Sequence, residues 1–417
     1  MSRQIEWGEV SADGALQLPE NILSEMGFST GAKFKISFDG QSLTLSRALN
    51  HLQKIYIEPT TRCNLNCTMC IRNSWEKPLG DMSEGTFSAI ISGLDDFNPT
   101  PLVSFGGLGE PLMHPKIIEW IRLAKEKGAQ VELITNGALL TKKMSLELIN
   151  AGLDILWVSI DSASPDSYAD VRLGAQLSNI IINLKRFRSM RPGSHHPRPK
   201  MGIAFVAMKS NITELPKVMQ LARTVGAKLF SASNVLPYTQ DMVSEMLYTN
   251  ALKNITYLTS DWLPQASLPK LDLDNTETQQ SFLKALNSGW NIDLSGQKMS
   301  DANDICKFIE NNSTSIAWDG GLSPCWPLMH THTSYLHNKP HISYRHVIGF
   351  VQNQPLRELW LDPEYVDYRR KVQDFSFAPC TFCGGCDLSL ENMEDCVGND
   401  FPACGTCLWS QGIIQCP

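Results

Sequence analysis

The residues of this chain best able to do chemistry are its cysteines, twelve in number and unevenly placed. Cys63, Cys67 and Cys70 follow one another with three and then two residues between them. Cys306 and Cys325 stand apart, and Cys380, Cys383, Cys386, Cys396, Cys404, Cys407 and Cys416 crowd the C-terminal end. Met1 to Val10 is mixed and polar and reads as neither a signal nor a transit peptide, so a cytoplasmic chain is expected. In a reducing compartment thiols this closely spaced point to metal rather than disulfides. Three on one loop can converge on one centre. A 4Fe–4S cluster normally takes four thiolates. Three leave one iron with an open position, able to activate a small molecule by the logic that separates catalytic from structural zinc. A zinc ion borrowing a fourth ligand is the competing reading. The nine later cysteines are enough for two closed clusters with one thiol left over, or for paired Cys-x2-Cys zinc knuckles. Their spacing does not say which thiol joins which centre.

Other candidate groups stand where apolar segments end. Gly106, Gly107, Gly109 and Glu110 follow Leu102–Phe105. Glycines let a ligand approach the backbone, and a carboxylate there can receive an ammonium group; an ordinary glycine-rich turn is the alternative. Asn136 follows Gln130–Thr135, Ser159 and Asp161 close Ile155–Ile160, and Arg172 lies just beyond. A guanidinium suits a carboxylate by bidentate bonding. Five histidines (His330, His332, His337, His341 and His346) fit no compact ligand template and read as a solvated loop.

The elements that must carry these groups alternate. Strands are expected at Lys54–Glu58, Leu102–Phe105, Gln130–Thr135, Ile155–Ile160, Met201–Val206 and Lys228–Ala232. Helices are expected at Glu84–Leu94, Pro115–Lys127, Lys142–Asn150, Ser178–Met190 and Thr213–Thr224. Repeated β-then-α with apolar strands predicts an α/β fold, a parallel sheet with helices outside, as a barrel or an open layer. In a barrel the loops at the C-terminal strand ends build the active site, and the cysteine triplet follows the first strand. Residues 1–47 read as two hairpins around a short helix, and 238–305 as a helical connector. With 417 residues, 42% hydrophobic, the chain can bury a large core in two or three domains. A net charge of −7 argues against a broad nucleic-acid surface. No apolar run approaches the roughly 20 residues that span a bilayer.

Cys63-x3-Cys67-x2-Cys70 after a first strand resembles the signature of the radical S-adenosylmethionine (SAM) family. That resemblance implies a partial (β/α)6 barrel over 52–237, a 4Fe–4S cluster on the three thiols, and reductive cleavage of SAM to a 5′-deoxyadenosyl radical. It also implies SAM contacts from Gly107, Gly109 and Glu110, which match a Gly-Gly-Glu-Pro motif with one residue inserted. Asn136 lies on the same rim, Ser159 and Asp161 are implied near the ribose or substrate, and Arg172 near the SAM carboxylate. Cys306, a glycine-x4-cysteine ending at Cys325, Leu356–Trp360 and the final cysteines resemble the SPASM extension over 306–417. SPASM domains commonly hold two auxiliary 4Fe–4S clusters. Ile71–Trp75, Pro78–Met82 and the tail from Cys407 to Pro417 are similar to maturases associated with tungsten-cofactor aldehyde oxidoreductases. Residues 1–47 resemble the AbrB-like swapped-hairpin domain. Arg3, Lys33, Lys35 and Arg47 face six acidic residues there, too few for a DNA surface, so a homodimer or partner-docking module is expected.

The expected partners are a substrate protein or peptide, such as a tungsten aldehyde oxidoreductase, and a low-potential electron donor such as ferredoxin or flavodoxin. No membrane or nucleic acid is expected. A peptide-modifying SPASM enzyme and an AbrB-like iron–sulfur redox regulator are the competing functions.

Overall fold

The structure, a computed structural model, describes residues 7–75 other than 29, 31, 33, 39 and 41, then 78–165, 171–192, 197–249, 304–383 and 386–415. Between 250 and 303 it describes only 265–268, 274, 276–286, 291–294 and 297–298. Cys416 lies outside the described residues.

Two small hairpins open the chain: β1 (Glu9–Val10) with β2 (Leu16–Gln17), and β3 (Ile36–Phe38) with β4 (Leu43–Leu45), with helix Glu20–Met26 between them. Gly14, at φ +84, makes the first turn. The segment joining this region to the rest is buried, not a loose linker. Ala48 and Leu52 have no exposure, the Asn312 amide bonds Ala48 O at 2.7 Å, and Arg369 bonds Leu49 O at 3.0 Å.

Six parallel strands follow in sequence order: β5 (Lys54–Ile57), β6 (Leu102–Phe105), β7 (Val131–Thr135), β8 (Ile155–Ser159), β9 (Lys200–Ala207) and β10 (Leu229–Asn234). Each lies within two residues of its predicted span. Alternate residues face opposite sides of a strand. Ile55, Ile57, Val103, Phe105, Leu156 and Val158 point to the helices and are buried. Tyr56, Ser104, Trp157 and Ser159 alternate with them and face the other way. Helices Glu84–Gly93, Ile117–Glu126, Lys142–Asn150, Leu177–Met190 and Leu215–Val225 cover the apolar side. Ile117–Glu126 shows why: Ile117, Trp120, Ile121 and Ala124 are buried, the i, i+3, i+4, i+7 stripe of one helix face. Ser83 and Thr141 cap their helices by accepting from Thr86 N and Met144 N.

The connector expected to be helical is mixed. Its described pieces hold helix Thr276–Leu286 but also β11 (Gln265–Leu268), β12 (Asn291–Leu294) and β13 (Gln297–Lys298), joined in one sheet. Strands this short and polar carry too few residues to show a period.

The C-terminal region does not stand apart from the barrel. β14 (Ser313–Ile316) pairs parallel with β5, and β15 (Gly321–Ser323) and β18 (Gly349–Phe350) continue the sheet to nine strands. A further hairpin, β16 (His332–Leu336) with β17 (Lys339–Ser343), lies between β15 and β18 in the chain. It corrects the histidine reading: His330, His332 and His341 are buried, not in a solvated loop. The His332 ring bonds His330 O at 2.9 Å, that of His337 bonds Thr381 O at 2.7 Å, and that of His341 bonds Ser389 O at 2.9 Å. These imidazoles tie backbone together.

Candidate active site and thiol clusters

The loop after β5 carries the triplet. Cys63, Cys67 and Cys70 are half-buried free thiols. Burial raises the pKa of Cys63 and Cys67, and the charge of Cys70 raises both further, so the three side chains share one space. N–H groups surround the sulfurs: Leu65 N lies 3.5 Å and the Asn136 amide 3.8 Å from Cys63 Sγ, and Arg72 Nε lies 3.4 Å from Cys70 Sγ. Asn66 N and Thr68 N bond Leu173 O and Val171 O, which fixes the loop against the segment that bears Arg172.

The turn after β6 packs directly on this loop. Gly107 has φ +130, the left-handed side where a side chain is strained. A Cβ on Gly109 would lie 2.3 Å from Thr60 O and 2.5 Å from Arg62 O, so only glycine lets the turn meet the cysteine loop. Glu110 is buried and already bonded within the protein. Its Oε1 accepts from Thr135 Oγ1 at 2.7 Å and Leu112 N at 3.1 Å, and its Oε2 from Asn136 N at 2.8 Å. Burial raises its pKa, and these bonds oppose the shift. The carboxylate thus clamps the ends of β6 and β7 together. Asn136 continues the chain of bonds to Asn64 Oδ1 at 2.9 Å.

Ser159 ends β8 on the face away from the helices. Asp161 is fully buried; its Oδ2 accepts from Arg172 Nε at 2.7 Å and its Oδ1 from Val206 N at 2.8 Å. Part of the guanidinium expected to meet an external carboxylate is therefore oriented by Asp161. Arg172 is also close enough to Cys67 to oppose the rise in its pKa. Cysteine loop, glycine turn, Asn136 and the Asp161–Arg172 pair all lie at the C-terminal ends of β5 to β8.

Among the described residues the eight later cysteines separate into two sets of four. Burial pushes Cys306 up to about 12, with the charge of Cys407 adding to it. Burial also raises Cys325, with Cys306, Cys407 and Cys404 adding to it, and Cys404 is raised by burial and by Cys407 and Cys306. Cys306, Cys325, Cys404 and Cys407 thus face one another, around a cavity of about 60 Å³ whose walls include Phe308, Tyr368 and Trp409. Cys380, pushed up to about 11 by burial, feels Cys396, Cys386 and Cys383 instead. Cys383, Cys386 and Cys396 are exposed, so this second set opens to solvent, while the first joins buried Cys306 and Cys325 to half-buried Cys404 and Cys407. Buried thiols that lose protons to a cationic centre fit the chemistry of iron–sulfur ligation. Among the described residues no three Cys, His, Asp or Glu side chains are arranged to hold a single metal ion.

Sequence reasoning did not single out Glu58, Arg72 or Tyr368, and it read His330 as part of a solvated loop rather than as a neighbour of the barrel rim. Glu58 ends a strand, so the rule that selected Asn136 applies to it as well. His330 bonds it from 272 residues away, and no local signal links the two. Tyr368 Oη lies 3.2 Å from Cys404 Sγ.

The family model for the radical SAM superfamily matches residues 57–196, and that for SPASM, an iron-sulfur cluster-binding domain, matches 306–387. The chain is 30% identical over 373 residues, 88% of its own length and 97% of the relative's, to the tungsten-containing aldehyde ferredoxin oxidoreductase cofactor-modifying protein of Pyrococcus furiosus. A probable GTP 3′,8-cyclase of Methanococcus maripaludis is 29% identical over 174 residues, 41% of this chain and 55% of that one. The crystal structure of Streptococcus suis SuiB bound to S-adenosylmethionine shares the fold, with a TM-score of 0.51 and 16% identity over 82% of this chain and 72% of that one. The chain belongs to the radical SAM superfamily: it is a radical SAM enzyme that uses 4Fe–4S clusters and SAM and carries a SPASM iron–sulfur domain.

Proposed function

We propose that the enzyme is a maturase of a tungsten-containing aldehyde oxidoreductase, acting on that protein, a peptide segment of it, or its cofactor. The similarity to the Pyrococcus furiosus protein over nearly the whole of both chains supports this substrate. The observation that carries the chemistry is the division of eleven described thiols into one set of three, a thiol short of the four that complete a cluster's ligation, and two sets of four. Cys63, Cys67 and Cys70 would hold the cluster that binds SAM. Cys306, Cys325, Cys404 and Cys407 would hold one auxiliary cluster, and Cys380, Cys383, Cys386 and Cys396 the other.

Bound SAM and its cluster supply a carbon radical able to remove a hydrogen atom from substrate. The protein's part is placement. The Gly106–Gly109 turn brings backbone against the cysteine loop, Glu110 locks two strand ends, and Asp161 orients Arg172 for a carboxylate. Arg72 and Asn136 point N–H groups at the ligating sulfurs, and such bonds tune a cluster's potential. The solvent-open set is the natural entry for electrons from a ferredoxin or flavodoxin. Trp7 at 88% and Phe38 at 72% exposure leave apolar surface on the first hairpins, and a second copy pairing there would cover it. Among the described residues no helix is long and apolar enough to cross a membrane; a cytoplasmic enzyme is the reading we adopt.

Anaerobic reconstitution should give about 12 iron atoms per chain, four for each of three clusters. Co-production with a tungsten aldehyde oxidoreductase should raise that enzyme's activity over production without it. About four iron atoms with one or two zinc ions would replace the auxiliary clusters by zinc knuckles, and an unchanged oxidoreductase would remove the maturase assignment.

A further inference from the structure

A buried acid–imidazole pair stands at the barrel rim, outside every role assigned above. Glu58 follows β5, and its side chain is fully buried; His330, from the auxiliary region, is 3% exposed. Glu58 Oε2 and His330 Nε2 are 2.7 Å apart. Oε2 also accepts from Trp318 N at 3.4 Å, while Oε1 accepts from Leu108 N at 3.1 Å. Leu108 lies inside the glycine turn. The same carboxylate side chain supports the turn sterically, since a Cβ on Gly107 would lie 2.6 Å from Glu58 Cγ. His330 is held in turn: its backbone carbonyl accepts from the His332 ring, and its own ring lies against Trp75 with centroids 4.4 Å apart. Trp75 is five residues beyond Cys70.

A chain of contacts therefore runs from the auxiliary hairpin through His330 and Glu58 to the Leu108 amide. Stability alone is a weak reason for such a pair. Buried ion pairs often contribute little net stability compared with apolar packing, yet removing one partner strands the other. What the pair does determine is geometry. A carboxylate bonded on both oxygens fixes where the Leu108 peptide sits, and the imidazole fixes the carboxylate, as a carboxylate fixes a catalytic histidine elsewhere.

We infer that Glu58 and His330 are positioning residues for SAM: the auxiliary region, through His330, holds the Gly106–Gly109 turn in the conformation that receives the cofactor. The inference rests on the reading that this turn faces SAM. It makes the auxiliary region part of the SAM site even before substrate or electron transfer is considered.

The test is SAM binding to reconstituted enzyme, by calorimetry and by the change that SAM causes in the electron paramagnetic resonance of the reduced cluster. His330→Ala and Glu58→Gln should weaken SAM binding about tenfold, the scale of one charged hydrogen bond, with iron content unchanged. The KM for SAM in 5′-deoxyadenosine formation should rise more than turnover at saturating SAM falls. His330→Gln, whose amide N–H can reach the same carboxylate, should recover most of the affinity. Unchanged affinity in His330→Ala and Glu58→Gln would overturn the inference. So would loss of iron or of fold in His330→Ala, because the pair would then be structural. Gly107→Ala, measured alongside, separates the pair from the turn: if its SAM affinity is also unchanged, the turn does not face SAM; if only Gly107→Ala weakens binding, the pair alone is wrong.

Discussion

Single side chains around the thiols set what each centre can do. Tyr368 is half-buried, with its hydroxyl 3.2 Å from Cys404 Sγ. Once that sulfur is a thiolate ligand, only the O–H can donate. A hydrogen bond to a ligating sulfur stabilises the more negative, reduced cluster, so it raises the reduction potential. Tyr368→Phe should lower the midpoint of one auxiliary cluster and leave the other and the SAM-binding cluster in place. A potentiometric titration followed by electron paramagnetic resonance reads this directly, and three unshifted midpoints would contradict it. The sequence exposed the thiols but not such neighbours. Cys63, Cys67 and Cys70 announce themselves by spacing because one loop carries them all. Cys404 and Cys407 join Cys306 and Cys325 across a long stretch of chain, so only the fold assigns them. Glu110 was legible as a rim carboxylate, but its bonds to Thr135 and Asn136 depend on where β7 ends relative to β6.

At the scale of elements, the legible parts were those with enough residues to show a period. β5 to β10 and their helices have apolar runs or stripes that match burial: Ile55 and Ile57 on one face, Ile117 through Ala124 on another. β14 was not legible, since Ser313–Ile316 is four residues, two of them serine, and its burial comes from pairing with β5. The hairpin β16–β17 was hidden for the same reason, its histidines reading as polar loop. That hairpin has a pH signature. Burial holds the His332 ring down at about 4, against 6.5 for the free side chain. The unfolded chain therefore takes up a proton before the folded one does. The full contribution is present above pH 6.5 and drains away between 6.5 and 4, by roughly 2 kcal/mol at pH 5. His332→Gln, which cannot titrate, should lose less stability than wild type between pH 7 and pH 5, in paired unfolding curves that share any loss from the clusters. Parallel losses in the two proteins would show that His332 titrates normally.

Across the whole molecule, the described candidates for SAM binding draw on the barrel and, through His330, on the auxiliary region, and none of them lies in the first hairpins. Every described candidate for SAM binding lies between Glu58 and Arg172, apart from His330. The buried segment after Arg47 anchors the barrel without the hairpins, which are two-stranded and expose Trp7, Val10, Ile36 and Phe38. Isolated two-stranded hairpins are marginal in water, and so is a unit of this size without a partner surface. Deleting residues 1–47 should reduce self-association or partner binding in sedimentation while SAM cleavage continues; a truncated enzyme that keeps its iron but cannot cleave SAM would place these hairpins in the active site. As proposed above, the three thiols after β5 would hold the cluster that cleaves SAM while eight others hold clusters of their own. The direct measurement is 5′-deoxyadenosine formation together with iron content in the variant with Cys63, Cys67 and Cys70 all replaced by alanine. That variant should form no 5′-deoxyadenosine and retain about eight iron atoms, two clusters of four. Product formation at the wild-type level in that variant would contradict this assignment.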